Sequence, residues 1–244
     1  MTGGAAAGRT IEVVGAFVLI VVSLVVILSL RTELPTSPGV MTDALGPEDG
    51  ERVADYLARA TASLDADDED PRWALVTAGF AWSVHDAAGV VSDLPRVSGL
   101  YVQVPVPDVA MPVTGVTLAE PPAGETTREP VFHRALGQAA ARLETQPTPV
   151  PGVVPTPPPA DPDRGAATAA LTVARIRAGE PAIIGLLARG TPAQLRAVAS
   201  QPWVRAVEAL PADAVWQRFA VRPLQPQQAD AAFPLPDDGP VPPA

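Results

Sequence analysis

The chain has 244 residues, 30 of them proline and none cysteine, and carries a formal net charge of −10. Without cysteine there is no disulfide, thiolate nucleophile or cysteine-ligated zinc. Without a cluster of basic residues there is no surface to neutralise nucleic-acid phosphates.

Residues 1–12 form a short tail. Val13 to Leu30 (VVGAFVLIVVSLVVILSL) is an unbroken apolar run with no charge inside it. As a helix rising about 1.5 Å per residue it covers ~27 Å, close to the hydrocarbon thickness of a bilayer. A cleaved signal peptide has a shorter apolar region and a small-x-small cleavage site; the sequence Ser29-Leu30-Arg31-Thr32-Glu33 offers none. A permanent single-pass transmembrane helix in the lipid bilayer is therefore expected at 13–30. Arg9 before it and Arg31 after it leave the positive-inside rule nearly silent. The short N-terminal tail and large C-terminal part favour export of the domain across the cytoplasmic membrane.

Residues 31–46 read as a juxtamembrane linker. From Pro47 to Leu64, Val53, Tyr56, Leu57, Ala60 and Leu64 recur at helical spacing, with Pro47 suited to the first turn. The acidic stretch Asp65–Asp70 ends that helix. Tested as an EF-hand loop it fails, because Asp70 stands where glycine is needed and Val76 where the bidentate glutamate belongs. Arg72–Trp82 (RWALVTAGFAW) is an apolar run of strand length. Ser83 with Asp86 three residues on predicts a capping box and a helix to about Leu94. Pro95 stops it, Val97–Val106 reads as a strand, and a further strand is expected at Val113–Ala119. Pro130–Glu144 is an amphipathic helix with Phe132, Leu136, Ala139 and Leu143 on one face. These elements, 47–144, make a first half.

Residues 145–163 are a proline-rich linker that cannot supply ladder donors. The second half, 164–222, repeats the plan. A helix over Arg164–Ala178 is closed by Gly179, and an apolar strand from Pro181 follows. Thr191, Pro192 and Gln194 start another helix, and a strand comes after Pro202. Pro95 matches Pro202, and Leu100 matches Val207, about 107 residues apart. A last strand is expected over Val215–Val221. The tail 223–244 is proline-rich and expected to be disordered. Two βαβ units sharing one sheet, with helices on one face, make a ferredoxin-like α/β sandwich the expected fold of class α+β.

The chemistry is sparse. His85 opens a helix beside Asp86, and His133 lies in an amphipathic helix; neither belongs to a catalytic motif. No cofactor and no metal are expected. Asp86, Asp93 and Glu208 are the carboxylates on which acid–base chemistry would have to rest. Phe80, Trp82 and Trp216 are the candidate partner-binding residues, because large aromatics are scarce here and dominate interfaces.

The segment Gln201-Pro-Trp-Val-Arg-Ala-Val-Glu208 resembles the closing half of subtilisin-propeptide and inhibitor-I9-like domains, where a P-x-V-x-x-V-E segment leads into the last strand. That resemblance implies a ferredoxin-like fold for this half. All 17 basic residues are arginine and neither lysine nor asparagine occurs. With that bias, the layout is similar to single-pass membrane proteins of high-GC actinobacteria, which implies a location. The expected function is a non-catalytic, membrane-anchored envelope protein whose exported domain binds a protein partner as an accessory or scaffold module. The alternative is a tethered small-molecule or ion-sensing domain with a cleft between the two βαβ halves.

Overall fold

Arg72–Trp82 is apolar on both alternations, the pattern of a strand covered on both faces. In the computed structural model, which describes residues 43–119, 127–145 and 162–244, this strand lies deep in a mixed α/β fold. The elements in order are β1 (Asp43–Leu45), α1 (Val53–Ala62), β2 (Arg72–Trp82), α2 (Val84–Val90), β3 (Arg96–Val102) and β4 (Thr114–Thr117). They continue with α3 (Glu129–Thr145), α4 (Pro162–Arg177), β5 (Ile183–Gly190), α5 (Pro192–Ala199), β6 (Val204–Ala209) and β7 (Phe219–Val221). The expected membrane helix and most of the linker 145–163 fall outside the described residues. Among the described residues no helix is long and apolar enough to cross a membrane.

The main sheet has the order β4-β3-β5-β2-β6. β5 runs antiparallel to both β2 and β3, so β2 and β3 are parallel with β5 between them. β2 likewise separates the parallel pair β5 and β6. The units β2-α2-β3 and β5-α5-β6 therefore interleave: each places a strand between the two strands of the other. The two helix starts are alike. Ser83 and Thr191 each accept from the backbone N–H three residues on and donate their own N–H to the side chain there, Asp86 and Gln194. Thr191→Ala should cost about 1 kcal/mol, the usual loss for an N-cap, read as a drop in the urea midpoint.

Alternate residues of β2 face two different cores. Ala74, Val76 and Ala78 meet α2, α3, α4 and α5 through Ala87, Phe132, Leu171 and Leu195. Trp73 and Leu75 meet the parallel β1–β7 pair through Leu45, Phe219 and Val221. α1 packs beside β6 by Val53, Tyr56 and Ala60 with Ala206. The expected sandwich had helices on one face; the structure adds a second layer, the β1–β7 pair, on the other. Side chains stop both sheet edges. Arg142 donates to the Gly115 carbonyl on β4 at 2.8 Å, and the Ser63 hydroxyl accepts from Ala209 N on β6 at 2.8 Å.

Three expectations change at the ends. Asp43–Leu45, read as linker, forms β1, because Leu45 is buried against β7. The first helix starts at Val53 rather than Pro47, since Gly50 at φ 72 turns the chain just before it. The tail 223–244, expected to be disordered, is packed: Leu224 and Ala232 are buried against α1. Its polar groups are also held, with Gly239 N donating to Asp108 O at 2.8 Å and Asp237 pairing with Arg164 at 2.7 Å. Leu224 and Ala232 stand eight positions apart in a polar, proline-rich stretch and so give no periodic signal, yet both are buried in the core shared by α1 and β6.

Candidate functional site

The end of the sheet where β2 stops and β5 starts carries a cleft of about 590 Å³. The size is that of clefts that hold small molecules or short peptide segments. The β2–α2 junction supplies one wall, because the capping box turns the chain sharply after Trp82 and leaves His85 outermost, its side chain 88% exposed. α3 supplies the length of the cleft from Glu129 to Glu144, and the last turn of α4 closes it with Ile176 and Arg177. Gly179, at φ 77, ends α4 there by donating its N–H to Ile176 O at 3.0 Å.

Both histidines of the chain line this cleft. His85 Nδ1 lies 2.8 Å from Glu129 Oε1, and that hydrogen bond, with the charge behind it, raises the imidazole above its ordinary pKa. His133 follows Glu129 by four residues and so shares its helix face. Farther along, Arg177 pairs with Glu144 at 2.6 Å, and Arg175 with Glu180 at 2.6 Å. The lining therefore holds three carboxylates, Glu129, Glu144 and Glu180, against the guanidinium of Arg177. Trp82 is fully buried in the wall, and its indole N–H has no partner among the described residues. The Ser83 hydroxyl donates to Asp86 at 2.6 Å and is committed to the cap. Among the described residues no three His, Asp or Glu side chains converge as metal ligands.

The aromatic candidates separate. Phe80 is 51% exposed beside a register shift in β2, and Gly79 N donates to Trp203 O at 3.0 Å. Trp203, which the sequence reading did not single out, is itself 48% exposed. The signal was available: it follows Pro202 in a turn, outside the apolar alternation of β6. Trp82 faces the cleft two residues beyond Phe80. Trp216 is elsewhere, half-buried and stacked on Trp73 at 4.6 Å in the second core.

The three candidate carboxylates do not meet. Asp86 caps α2. Asp93 lies in the turn after α2, where Ser92 Oγ reaches its carboxylate at 3.4 Å. Glu208 is buried on β6, toward the opposite face, and accepts from Gly46 N at 2.5 Å and from Arg59. Burial pushes its carboxyl above the ordinary value, against the pull of the Gly46 amide and Arg59. The neighbouring Tyr56 hydroxyl is also pushed well up, first by burial and then by the Glu208 charge. This cluster is internal: it ties α1 and the end of β1 to β6.

Compared with known proteins, the chain matches no family model, no curated protein and no solved structure.

Proposed function

We propose that the chain is a single-pass membrane protein of the bacterial envelope, held by Val13–Leu30, whose exported domain is a ferredoxin-like sandwich with added layers and binds a protein partner as an accessory or scaffold module. The ferredoxin-like reading is supported by the order β6-β2-β5-β3, in which two βαβ units interleave. The observation that carries the interaction role is the pair Phe80 and Trp203. Both are half exposed where the start of β6 runs beside β2, with Gly79 N donating to Trp203 O at 3.0 Å, in a protein with only 5% aromatic residues. Leaving scarce aromatics in water forfeits burial energy that the core would use, and such residues recur as interface anchors. The second reading, a ligand-sensing domain, draws on the cleft, though the cleft lies between α2, α3 and α4 and not between the two βαβ units.

Protease added to intact spheroplasts should digest the domain while cytoplasmic markers survive; protection of the domain would reverse the orientation. Phe80→Ser with Trp203→Ser should shift folding stability by no more than about 0.5 kcal/mol each, as for exposed sites. The same double change should abolish recovery of a stoichiometric partner from detergent-solubilised membranes. Undiminished recovery by the variant would remove these residues from the interface.

A further inference from the structure

We infer that Asp237–Gly239 is an intramolecular ligand, seated in a recognition site for an extended acidic segment, and that a partner protein carrying the same Asp-x-Gly chemistry displaces it. The site is separate from the Phe80–Trp203 surface and does not rest on it. The C-terminal segment divides in two. Its first part belongs to the fold: Leu224 and Ala232 are buried, and three backbone hydrogen bonds clasp 230–232 to the chain just before α1 and its first residue. They run from Val53 N to Asp230 O at 2.9 Å, from Ala232 N to Glu51 O at 2.8 Å and from Gly50 N to Ala232 O at 3.3 Å. The second part, 234–244, contains no buried residue; Val241 alone packs, half-buried, against the main core. Segments with so few buried contacts open before the rest of a domain.

What holds this strap is what a peptide site uses. Among the described residues its hydrogen bonds run from Asp237 and Gly239 to one guanidinium and one turn. The Asp237 carboxylate accepts from Arg164 Nε at 2.7 Å and from Ala110 N at 3.1 Å. Gly239 N donates to Asp108 O at 2.8 Å, and Gly239 O accepts from Arg164 Nη2 at 2.8 Å. The receiving turn is fixed by its own contacts: Val109 N donates to Val106 O at 3.3 Å, and Val109 and Met111 are buried. Asp108 takes φ 56, a left-handed conformation that aspartate tolerates. The spacing is selective. A Cβ on Gly239 would lie 2.8 Å from Asp108 O and 2.9 Å from Asp108 Cβ, and Gly239 is not at positive φ. Glycine is therefore required there for close approach and not for a turn. Pro234, Pro236, Pro240 and Pro242 hold the backbone extended in advance, which lowers the entropy cost of docking. The pair itself is only partly shielded, with the Arg164 side chain 21% exposed and that of Asp237 34%. Pairs so open to water contribute little, so a segment of matching chemistry can replace this one.

The test uses the full-length chain in dodecyl maltoside. A fluorescein-labelled peptide of residues 234–244 is titrated and read by fluorescence polarisation. Gly239→Ala in the chain should unseat its own strap, so the peptide should bind that variant about tenfold more tightly, or better, than the wild type, whose site is filled from within at high effective concentration. Asp237→Asn, at a surface position, removes the carboxylate and should open the site in the same way. Peptides carrying Asp237→Asn or Gly239→Ala should bind the opened chain about tenfold more weakly or worse, as expected for loss of a charge-assisted contact or of close approach. In the wild type, hydrogen exchange at the Gly239 amide should be about a hundredfold faster than at that of Ala232, because the strap opens without the fold. No peptide binding to either opened chain, equal binding of the three peptides, or equal protection of Gly239 and Ala232 would each overturn the inference. A wild-type chain that light scattering finds dimeric, and monomeric after Gly239→Ala, would make the displacing segment the tail of a second copy and overturn the partner assignment. Recovery of a partner that depends on Phe80 and Trp203 is a separate measurement, so the failure of either site leaves the other standing.

Discussion

Gly46→Ala is expected to cost about 4 kcal/mol, from backbone strain and steric overlap together. Gly46 has φ 102, in the region that L side chains avoid, and a Cβ there would lie 1.7 Å from the Arg222 carbonyl oxygen. That oxygen belongs to backbone and cannot rotate away. Arg222 N donates to Leu45 O at 2.8 Å, so moving Arg222 strips the β1–β7 pair from the second core. Gly46 itself donates its N–H to Glu208 at 2.5 Å, and its carbonyl accepts from Arg59 at 3.2 Å. One methyl group therefore disturbs the pairing of two strands and the buried carboxylate together. Gly89→Ala is the control: it lies on α2 where a Cβ meets nothing within 4 Å, so it should gain a few tenths of a kcal/mol up to about 1. Urea unfolding of the two variants measures the difference. A Gly46→Ala midpoint near that of the wild type would show that β1–β7 does not hold the second layer.

Arg59→Met should cost about 3 kcal/mol at pH 8, the low end for breaking a buried pair, because the Arg59 side chain is 43% exposed while that of Glu208 is 5%. The loss depends on pH with a definite sign. Burial already raises the Glu208 carboxyl above the usual 4.5, and removing Arg59 takes away part of what opposes it. A carboxyl raised in the fold favours folding in its protonated form, and that contribution fades as pH rises through its folded value. Glu51 acts in the same direction. Against a cost of burial, its hydrogen bond to Arg59 holds it below 4.5. That is stability present above the unfolded value, and the variant forfeits it. The deficit of Arg59→Met should therefore be small near pH 4.5 and grow toward pH 8. Adding Glu208→Leu should return most of the loss, because no charge is then left buried. Urea midpoints of wild type, single and double variants at the two pH values decide it. A deficit that does not change with pH would mean the carboxylate finds water when Arg59 is gone.

Some elements were readable from local chemistry alone. The continuous apolar run of Arg72–Trp82, the boxes at Ser83–Asp86 and Thr191–Gln194, and the stop at Gly179 each rest on contacts within a few residues. The face of Phe132, Leu136 and Ala139 on α3 was legible for the same reason, since helical spacing is a local property. β1 was not, because a three-residue strand whose partner is β7 leaves no period to detect. The predicted strand Val215–Val221 shrinks to Phe219–Val221, since Gln217 at φ 64 breaks the extended backbone and lets Trp216 lie on Trp73.

The candidate site divides in the same way. Sequence alone picked out both histidines and left each isolated, and it named Phe80 without its neighbour Trp203. His85 meets Glu129 across 44 positions, and Trp203 comes beside Gly79, the residue before Phe80, only because β6 pairs with β2. Periodicity, capping and composition act over one or two turns, so the sequence by itself determined which segments become helices and strands, and the absence of cysteine chemistry. Tertiary structure decided that the cleft exists, that Glu208 is buried away from Asp86, and that the proline-rich C-terminal segment packs. Each of these depends on surfaces distant in sequence burying one another, and no local interaction encodes that energy.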